Sequence, residues 1–260
     1  MKVLYFDCFS GISGDMTIGS LLDLGIEEKE LRSELSKLHL DAYEIKVEKK
    51  LKNGIMGTSF NVILSNEEHH HHHHDNDNHC HDHDHHHNHR NLRDIEDIID
   101  KSSLNDNVKN MSKKIFRIVA EAEGKIHGST PEDVHFHEVG ALDSIVDIIG
   151  TAICIDQLKP DKIVFSKLPF SRGFVKCQHG VIPLPAPATL EIVKGLPIYF
   201  SDAPIELVTP TGAAIAKALG NEFGDMESMH IEKIGYGLGK GDYKVANALR
   251  TILFDIKKKI

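Results

Sequence analysis

The sequence predicts an α/β or α+β domain, a mixed sheet with flanking helices, that carries a disordered His-rich insertion. Three observations predict it. The N-terminus reads as a strand, a Gly-rich loop and a helix. Two alternating stretches then meet at an Asn-Gly turn. Finally, thirteen of the nineteen histidines crowd into residues 69–89, a segment with almost no apolar residue, which cannot bury a core. The expected division is residues 1–66 as the first part of one α/β domain, 67–91 as a flexible insertion, and 92–260 as the remainder of the same domain.

Taken in order, Lys2–Asp7 is a short buried strand. It ends in Phe9-Ser10-Gly11-Ile12-Ser13-Gly14-Asp15, after which Ile18, Leu21 and Leu22 share a helix face between an N-cap at Ser13 and a stop at Gly25. Leu31, Leu35 and Leu38 mark a second helix. Tyr43, Ile45 and Val47 alternate with charged residues as a half-buried strand does, and Asn53-Gly54 turns the chain into a partner strand, Ile55–Leu64. Beyond the His tract a long helix begins near Asp106 and repeats apolar residues from Val108 to Ile126. Val134–Val139 alternates like a strand and leads into a helix from Ala141 to Ile155 that is apolar nearly all round, hence buried. Ala186–Lys194 and Gly212–Leu219 are helices stopped by Gly195 and Gly220, and Leu249–Ile256 is a final strand. Gly235-Tyr236-Gly237-Leu238-Gly239-Lys240-Gly241-Asp242 is not a phosphate-binding P-loop, because no Gly-Lys-Ser/Thr follows; so many glycines imply close backbone approach or special φ.

Composition excludes several classes. Acids at 67, 68, 75, 77, 82 and 84 account for six of the nine net negative charges, so the rest of the chain is nearly neutral and offers no basic footprint for nucleic acid. No run approaches the roughly 20 apolar residues of a membrane span, and MKVLYFDCFSG lacks the features of a signal peptide. Cys8, Cys80, Cys154 and Cys177 show no CxxC spacing, which suggests reduced thiols and a cytoplasmic protein.

Two regions carry metal-binding chemistry. The tract comprises His69, His70, His71, His72, His73, His74, His79, His81, His83, His85, His86, His87 and His89, interleaved with Asp75, Asp77, Asp82, Asp84 and Cys80. Neutral imidazole is the commonest metal ligand. A flexible tract fixes no geometry, so it suits storage or delivery of nickel, copper or zinc with low specificity. The plainer reading is a solvated linker. The second region is more specific. In a strand, His135 and His137 point the same way, Glu138 follows, and Asp143 and Asp147 sit at i and i+4 on the next helix, on one face. Two imidazoles and up to three carboxylates aimed into one region make a divalent metal site or an acid–base site. Against this, Asp143 could simply complement the helix dipole. Asp147 could pair with a cation, and the histidines could be satisfied polar groups. Two loops that open helices, Ser10-Gly11-Ile12-Ser13-Gly14 and Thr209-Pro210-Thr211-Gly212, could bind an anionic substrate or cofactor through Ser10, Gly11, Ser13, Gly14, Thr211 and Gly212. Ordinary caps explain both loops equally well, and Asp15 disfavours an anion but suits a cation. Cys177-Gln178-His179-Gly180 could add ligands.

At these residues the chain resembles the LarC family, nickel-inserting proteins of nickel-pincer nucleotide cofactor biosynthesis. The matching segments are FDCFSGISGDM at 6–16, HFHEVGALDSIVDIIG at 135–150, HGVIPLPAPATLEIVKGLP at 179–197, ELVTPTGAAI at 206–215 and GYGLGKGDYKVANALR at 235–250, with a His-rich stretch of variable length between the first two. The resemblance implies a cytoplasmic chelatase, formally a lyase of class EC 4.99.1.-, that inserts nickel into pyridinium-3,5-bisthiocarboxylic acid mononucleotide in a CTP-dependent reaction. The product serves lactate racemase and related enzymes. Family members commonly continue into a C-terminal region associated with CTP binding. This chain stops at Ile260, so it reads as the N-terminal portion, with that region expected as a partner chain. A homo-oligomer is left open. The chemistry implied needs two Ni–S bonds, one Ni–C bond and a base for the displaced ring proton. His135, His137 and Glu138 are the expected catalytic residues; His135, His137, Asp143 and Asp147 are the expected nickel ligands; the substrate phosphate is expected on the Gly11–Gly14 loop. Two rival readings remain, a nickel or zinc storage protein without catalysis, and a phosphoesterase-like metalloenzyme.

Overall fold

The structure, a computed structural model, describes residues 1–40, 43–64, 90–134, 136, 139, 141–177, 180–203, 205–226, 230–241, 243 and 245–255. The chain runs β1 (Lys2–Asp7), α1 (Gly14–Leu24), α2 (Glu28–Ser36), β2 (Tyr43–Lys52), β3 (Ile55–Leu64), α3 (Leu92–Lys101), α4 (Asp106–His127) and α5 (Leu142–Leu158). It continues with β4 (Lys162–Phe165), β5 (Leu168–Phe170), β6 (Gly173–Cys177), β7 (Gly180–Leu184), α6 (Pro187–Ile192), β8 (Ile198–Phe200), α7 (Pro210–Leu219), β9 (Glu222–Phe223), β10 (Ile231–Leu238) and β11 (Ala248–Asp255). A seven-stranded sheet in the order β2-β3-β10-β11-β1-β4-β9 forms the frame, with two small pairs, β5-β8 and β6-β7, beside it. The sheet is mixed: β1 is antiparallel to β11 but parallel to β4, and β10 meets β3 in parallel. The mixed sheet with flanking helices expected from the sequence is therefore found.

The period-2 alternation of β1 decides where the core sits. Leu4 and Phe6 point into the main apolar core, to which every helix contributes, from Ile18 and Leu21 of α1 to Ile215 of α7. Val3 and Tyr5 instead join Val164, Ile252 and Phe254 in a small cluster backed by Met226. The apolar helix α5 is the centre of the main core: Ile145, Val146, Ile148, Ile149 and Ala152 are all fully buried. It packs on α1, α2, α4 and α7 as well as on β3.

Helix α1 lies directly on the sheet. A methyl group at Gly237 would collide with the Met16 carbonyl oxygen, one at Gly235 with that of Ser20, and one at Gly19 with that of Thr58. None of these three has positive φ, so close approach, not special backbone geometry, explains the glycines of the 235–241 segment. Polar pins fix the contact: Ser20 Oγ and Thr251 Oγ1 lie 2.6 Å apart, and Asp23 accepts from Tyr236 N–H at 2.8 Å and from the Thr58 hydroxyl at 2.8 Å.

Several local readings need correction. Helix α3 follows the His tract at once and was not expected, although its cap is a full capping box in which Asn91 and Asp94 bond each other's backbone at 3.0 Å. The expected strand at Val134–Val139 does not form at its described residues. Val134 N–H bonds Thr130 O at 3.1 Å in a turn, and Phe136 N–H bonds Arg90 O at 3.2 Å. The alternation reflected burial alone: Val134, Phe136 and Val139 are all buried. Helix α7 starts at Pro210, two residues before the expected Gly212, because proline is preorganised for the first helical position. The short strands β4 to β9 and the whole of β10 were not expected. The Asn53-Gly54 turn is as expected, with φ of 50° and 81°.

Gly237→Ala is expected to destabilise the protein by about 1–3 kcal/mol, the usual range for overpacking, because the obstacle is backbone on both sides. Urea unfolding checks this: the midpoint should fall with an unchanged slope.

Candidate functional site

Three helices start at one cavity of about 340 Å³, lined by residues of the α1, α5 and α7 N-termini and of the β10–β11 connection. Its size falls within the roughly 300–1,000 Å³ of small-molecule sites. Ser13, Gly14 and Asp15 come from α1; Asp143, Ser144 and Asp147 from α5; Glu206, Thr209 and Thr211 from the approach to α7; Lys240 and Asn247 from the last connection.

The first two of these helices meet at Gly14 and Asp147. A side chain on Gly14 would sit 2.5 Å from Asp147 Cβ and 2.7 Å from its Oδ2, so only glycine lets α5 bring this carboxylate under the start of α1. Burial pushes the Asp147 carboxyl well above its usual range, the charges of Asp15 and Asp143 push it further, and Lys240 with the Asp15 amide pulls the other way. Asp15 is itself buried; its Oδ1 accepts from Met16 N–H at 2.8 Å and from the Ser13 hydroxyl. Ser13 holds the N-cap position with extended backbone but spends its hydroxyl on Asp15 rather than on a helix amide.

The loop before α1 is zipped to the segment before α7. Ile12 N–H bonds Leu207 O at 3.0 Å, and Thr209 N–H bonds Ile12 O at 3.2 Å. Gly11 (φ 95°) faces the Leu207 carbonyl and Gly212 faces that of Ile12, each too close for a side chain. A lysine holds the fourth side of the cavity: Lys52 Nζ donates to Gly239 O at 2.6 Å and to Gly241 O at 2.8 Å. Asn247 completes that turn, its carbonyl accepting from Gly239 N–H at 3.0 Å and its amide donating to Gly241 O at 3.2 Å. Lys240 is thereby presented at the rim, the one cationic side chain among the described residues that line the cavity.

Of the expected site residues, Asp143 and Asp147 line the cavity, as do Ser13, Gly14 and Thr211, whereas Ser10, Gly11 and Gly212 do not. His135, His137 and Glu138, and the whole His tract, lie outside the described residues; Val139, one residue beyond Glu138, lines the cavity. Glu206, Lys240 and Asn247 were not singled out as site residues, although each falls inside a segment that carried the family resemblance. Among the described residues no three of His, Cys, Asp and Glu are gathered closely enough to hold a metal ion. Cys8 and Cys154 are free thiols buried in the core, and burial raises both pKa values, that of Cys154 to about 12, so neither is a ready thiolate ligand. No described helix is long and apolar enough to cross a membrane.

The family model described as "Nickel insertion protein" matches residues 4–260. The chain belongs to the nickel insertion protein family. Among curated relatives, the pyridinium-3,5-bisthiocarboxylic acid mononucleotide nickel insertion protein of Acetivibrio thermocellus is 53% identical over 261 residues, covering 100% of this chain and 62% of its own length. The protein of the same name from Clostridium acetobutylicum is 55% identical over 268 residues, covering 97% of this chain and 64% of its own. That from Clostridium kluyveri is 51% identical over 254 residues, with 97% and 62% covered. The chain thus spans under two thirds of the length of these relatives. No solved structure matches it.

Because the Asp147 carboxyl titrates above its ordinary value of 3.8 in the folded chain, its charge opposes folding. That opposition is absent below pH 3.8, where folded and unfolded forms are both protonated, grows as pH rises from 3.8 toward the raised value, and is constant above it. Asp147→Asn should therefore be more stable than the native chain at neutral pH in the presence of a chelator. The advantage should vanish toward acid, as read from melting temperature against pH.

Proposed function

We propose that this chain houses the nickel-insertion centre of its family. On this reading it binds pyridinium-3,5-bisthiocarboxylic acid mononucleotide in the cavity between α1, α5 and α7 and transfers Ni²⁺ into it, giving a nickel-pincer cofactor for lactate racemase-type enzymes. The activity is that of a chelatase, with nickel and the mononucleotide as substrates. The observation that carries this reading is Asp147. A carboxylate clamped beneath a helix N-terminus, beside two further acids, is electrostatically unfavourable alone and is relieved by a divalent cation.

Asp143 and Asp147 supply oxygen ligands to the incoming ion. His135 and His137, which shortly precede the cavity-lining Val139 in sequence, supply nitrogen. Hard carboxylates and borderline imidazoles hold Ni²⁺ less tightly than the substrate's sulfurs, so the transfer runs toward the two thiocarboxylates. The third bond, Ni–C, replaces a ring proton; a base of the His135, His137 and Glu138 set accepts that proton. Because Asp147 binds a proton more readily than an ordinary carboxylate, protons compete with nickel there, and nickel affinity falls as pH falls. CTP dependence, a C-terminal partner region and a cytoplasmic setting belong to the same proposal. The His tract is its metal supply, loading the centre when nickel is scarce. The rival is a storage protein, in which the tract is the whole function.

Two measurements decide between them. His137→Ala, in a protein completed with the C-terminal region of its family, should lower nickel-pincer formation by at least about a hundredfold, the usual contribution of a general base; wild-type turnover would remove His137 from the mechanism. Deletion of residues 69–89 should leave turnover unchanged at saturating nickel and impair it at limiting nickel. Equal loss at all nickel concentrations would contradict a supply role. Loss of all bound metal with the tract, and no insertion by the intact protein, would establish storage.

A further inference from the structure

The three helix N-termini at the cavity are not equivalent, and the difference separates a cation end from an anion end. At α1 the first turn carries Asp15, and two of the loop amides before it are spent, Gly11 N–H on Cys8 O at 2.9 Å and Ile12 N–H on Leu207 O at 3.0 Å. At α5 the first turn carries Asp143, whose Oδ1 accepts from Ser144 N–H at 2.8 Å. The first turn of the ten-residue helix α7 has no acid. There Thr209 takes two of the amides: its Oγ1 accepts from Gly212 N–H at 3.1 Å and its carbonyl from Ala213 N–H at 2.9 Å. Pro210 has none to offer. Thr211 remains. It is 8% exposed, lines the cavity, and neither its N–H nor its hydroxyl has a hydrogen-bond partner among the described residues. Its hydroxyl and N–H therefore open into the cavity with no protein partner among the described residues, and two such donors at an acid-free helix N-terminus suit an anion.

We infer that Thr211, with the N-terminus of α7, is the phosphate subsite of this cavity, and that it takes the phosphomonoester of a mononucleotide. This rests on the substrate class proposed above and moves the phosphate away from the Gly11–Gly14 loop, where sequence alone put it. Lys240 lines the same cavity and offsets part of the added negative charge. The acids Asp15, Asp143, Asp147 and Glu206 on its walls favour a ligand whose charge is limited to about two on a single phosphate and whose ring is a cationic pyridinium.

The test is calorimetric binding to the chain as it stands, with nicotinic acid mononucleotide, its dephosphorylated nucleoside, inorganic phosphate and CTP as probes. The mononucleotide should bind at least about tenfold tighter than the nucleoside, the loss expected for one charge-assisted hydrogen bond. Thr211→Val should abolish that preference without changing nucleoside affinity, and Thr211→Ser should restore it. Thr211→Ala carries the same expectation, and matching circular dichroism and melting temperature identify the variants that report on binding. An undiminished preference in folded Thr211→Val or Thr211→Ala protein, or no preference in the native chain, overturns the subsite. Tighter, Thr211-dependent binding of CTP overturns its assignment to a phosphomonoester. Thr211-dependent binding of inorganic phosphate as tight as that of the mononucleotide would keep the phosphate subsite and defeat the pyridinium substrate reading instead.

Discussion

Everything at the cavity depends on how closely α1 sits on the sheet. Glycines on both surfaces remove the layer of side chains that normally separates helix from strand, so the backbone of α1 rests on β10 and β3. A helix seated this way cannot roll or slide without a backbone clash. Its N-terminus is therefore a fixed point, and α5 can approach it until Asp147 touches Gly14. Ile18 of α1 likewise fills the space at Gly150 of α5. The unfavourable carboxylate cluster is tolerated because the fully buried apolar side chains of α5 hold that helix in place whatever its first turn contains.

The second constraint is the zipper between the loop before α1 and the segment before α7. These two stretches are far apart in sequence, and each supplies one wall of the site. Their backbone bonds make the walls a single unit, while Lys52, from the end of β2, secures the wall that bears Lys240. Four distant parts of the chain are thus locked in register by main-chain bonds and by the Lys52 ammonium.

Much of the fold was legible because its signals are local. Asn53-Gly54 turns because both residues must adopt positive φ, and α1 starts at Ser13 and stops at Gly25 for equally local reasons. Strand β10 was illegible because its outer half, Ile231 to Ile234, is exposed on consecutive residues, so no alternation shows. Helix α3 had a readable signal in Asn91 and Asp94 that the adjoining His tract masked. At the site, Asp143 and Asp147 were legible from helix spacing and the near-continuous apolar run around them. Their meeting with Asp15, and the contributions of Glu206, Lys240 and Asn247, were not legible, since they arise from packing between segments with no periodicity in common. The glycines at 11 and 212 are suggestive of phosphate loops in sequence, yet in three dimensions each accommodates the carbonyl of the other's neighbourhood.

The hydrogen bond from Phe136 N–H to Arg90 O has a kinetic meaning. Arg90 directly follows His89, the last imidazole of the tract, and Phe136 lies between His135 and His137. That bond ties the residue that follows the tract to a residue of the 134–139 segment. On the function proposed above, metal carried by the tract would be a tethered supply, its effective concentration set by tether length, on the order of millimolar for short tethers, and not by how much free nickel surrounds the protein.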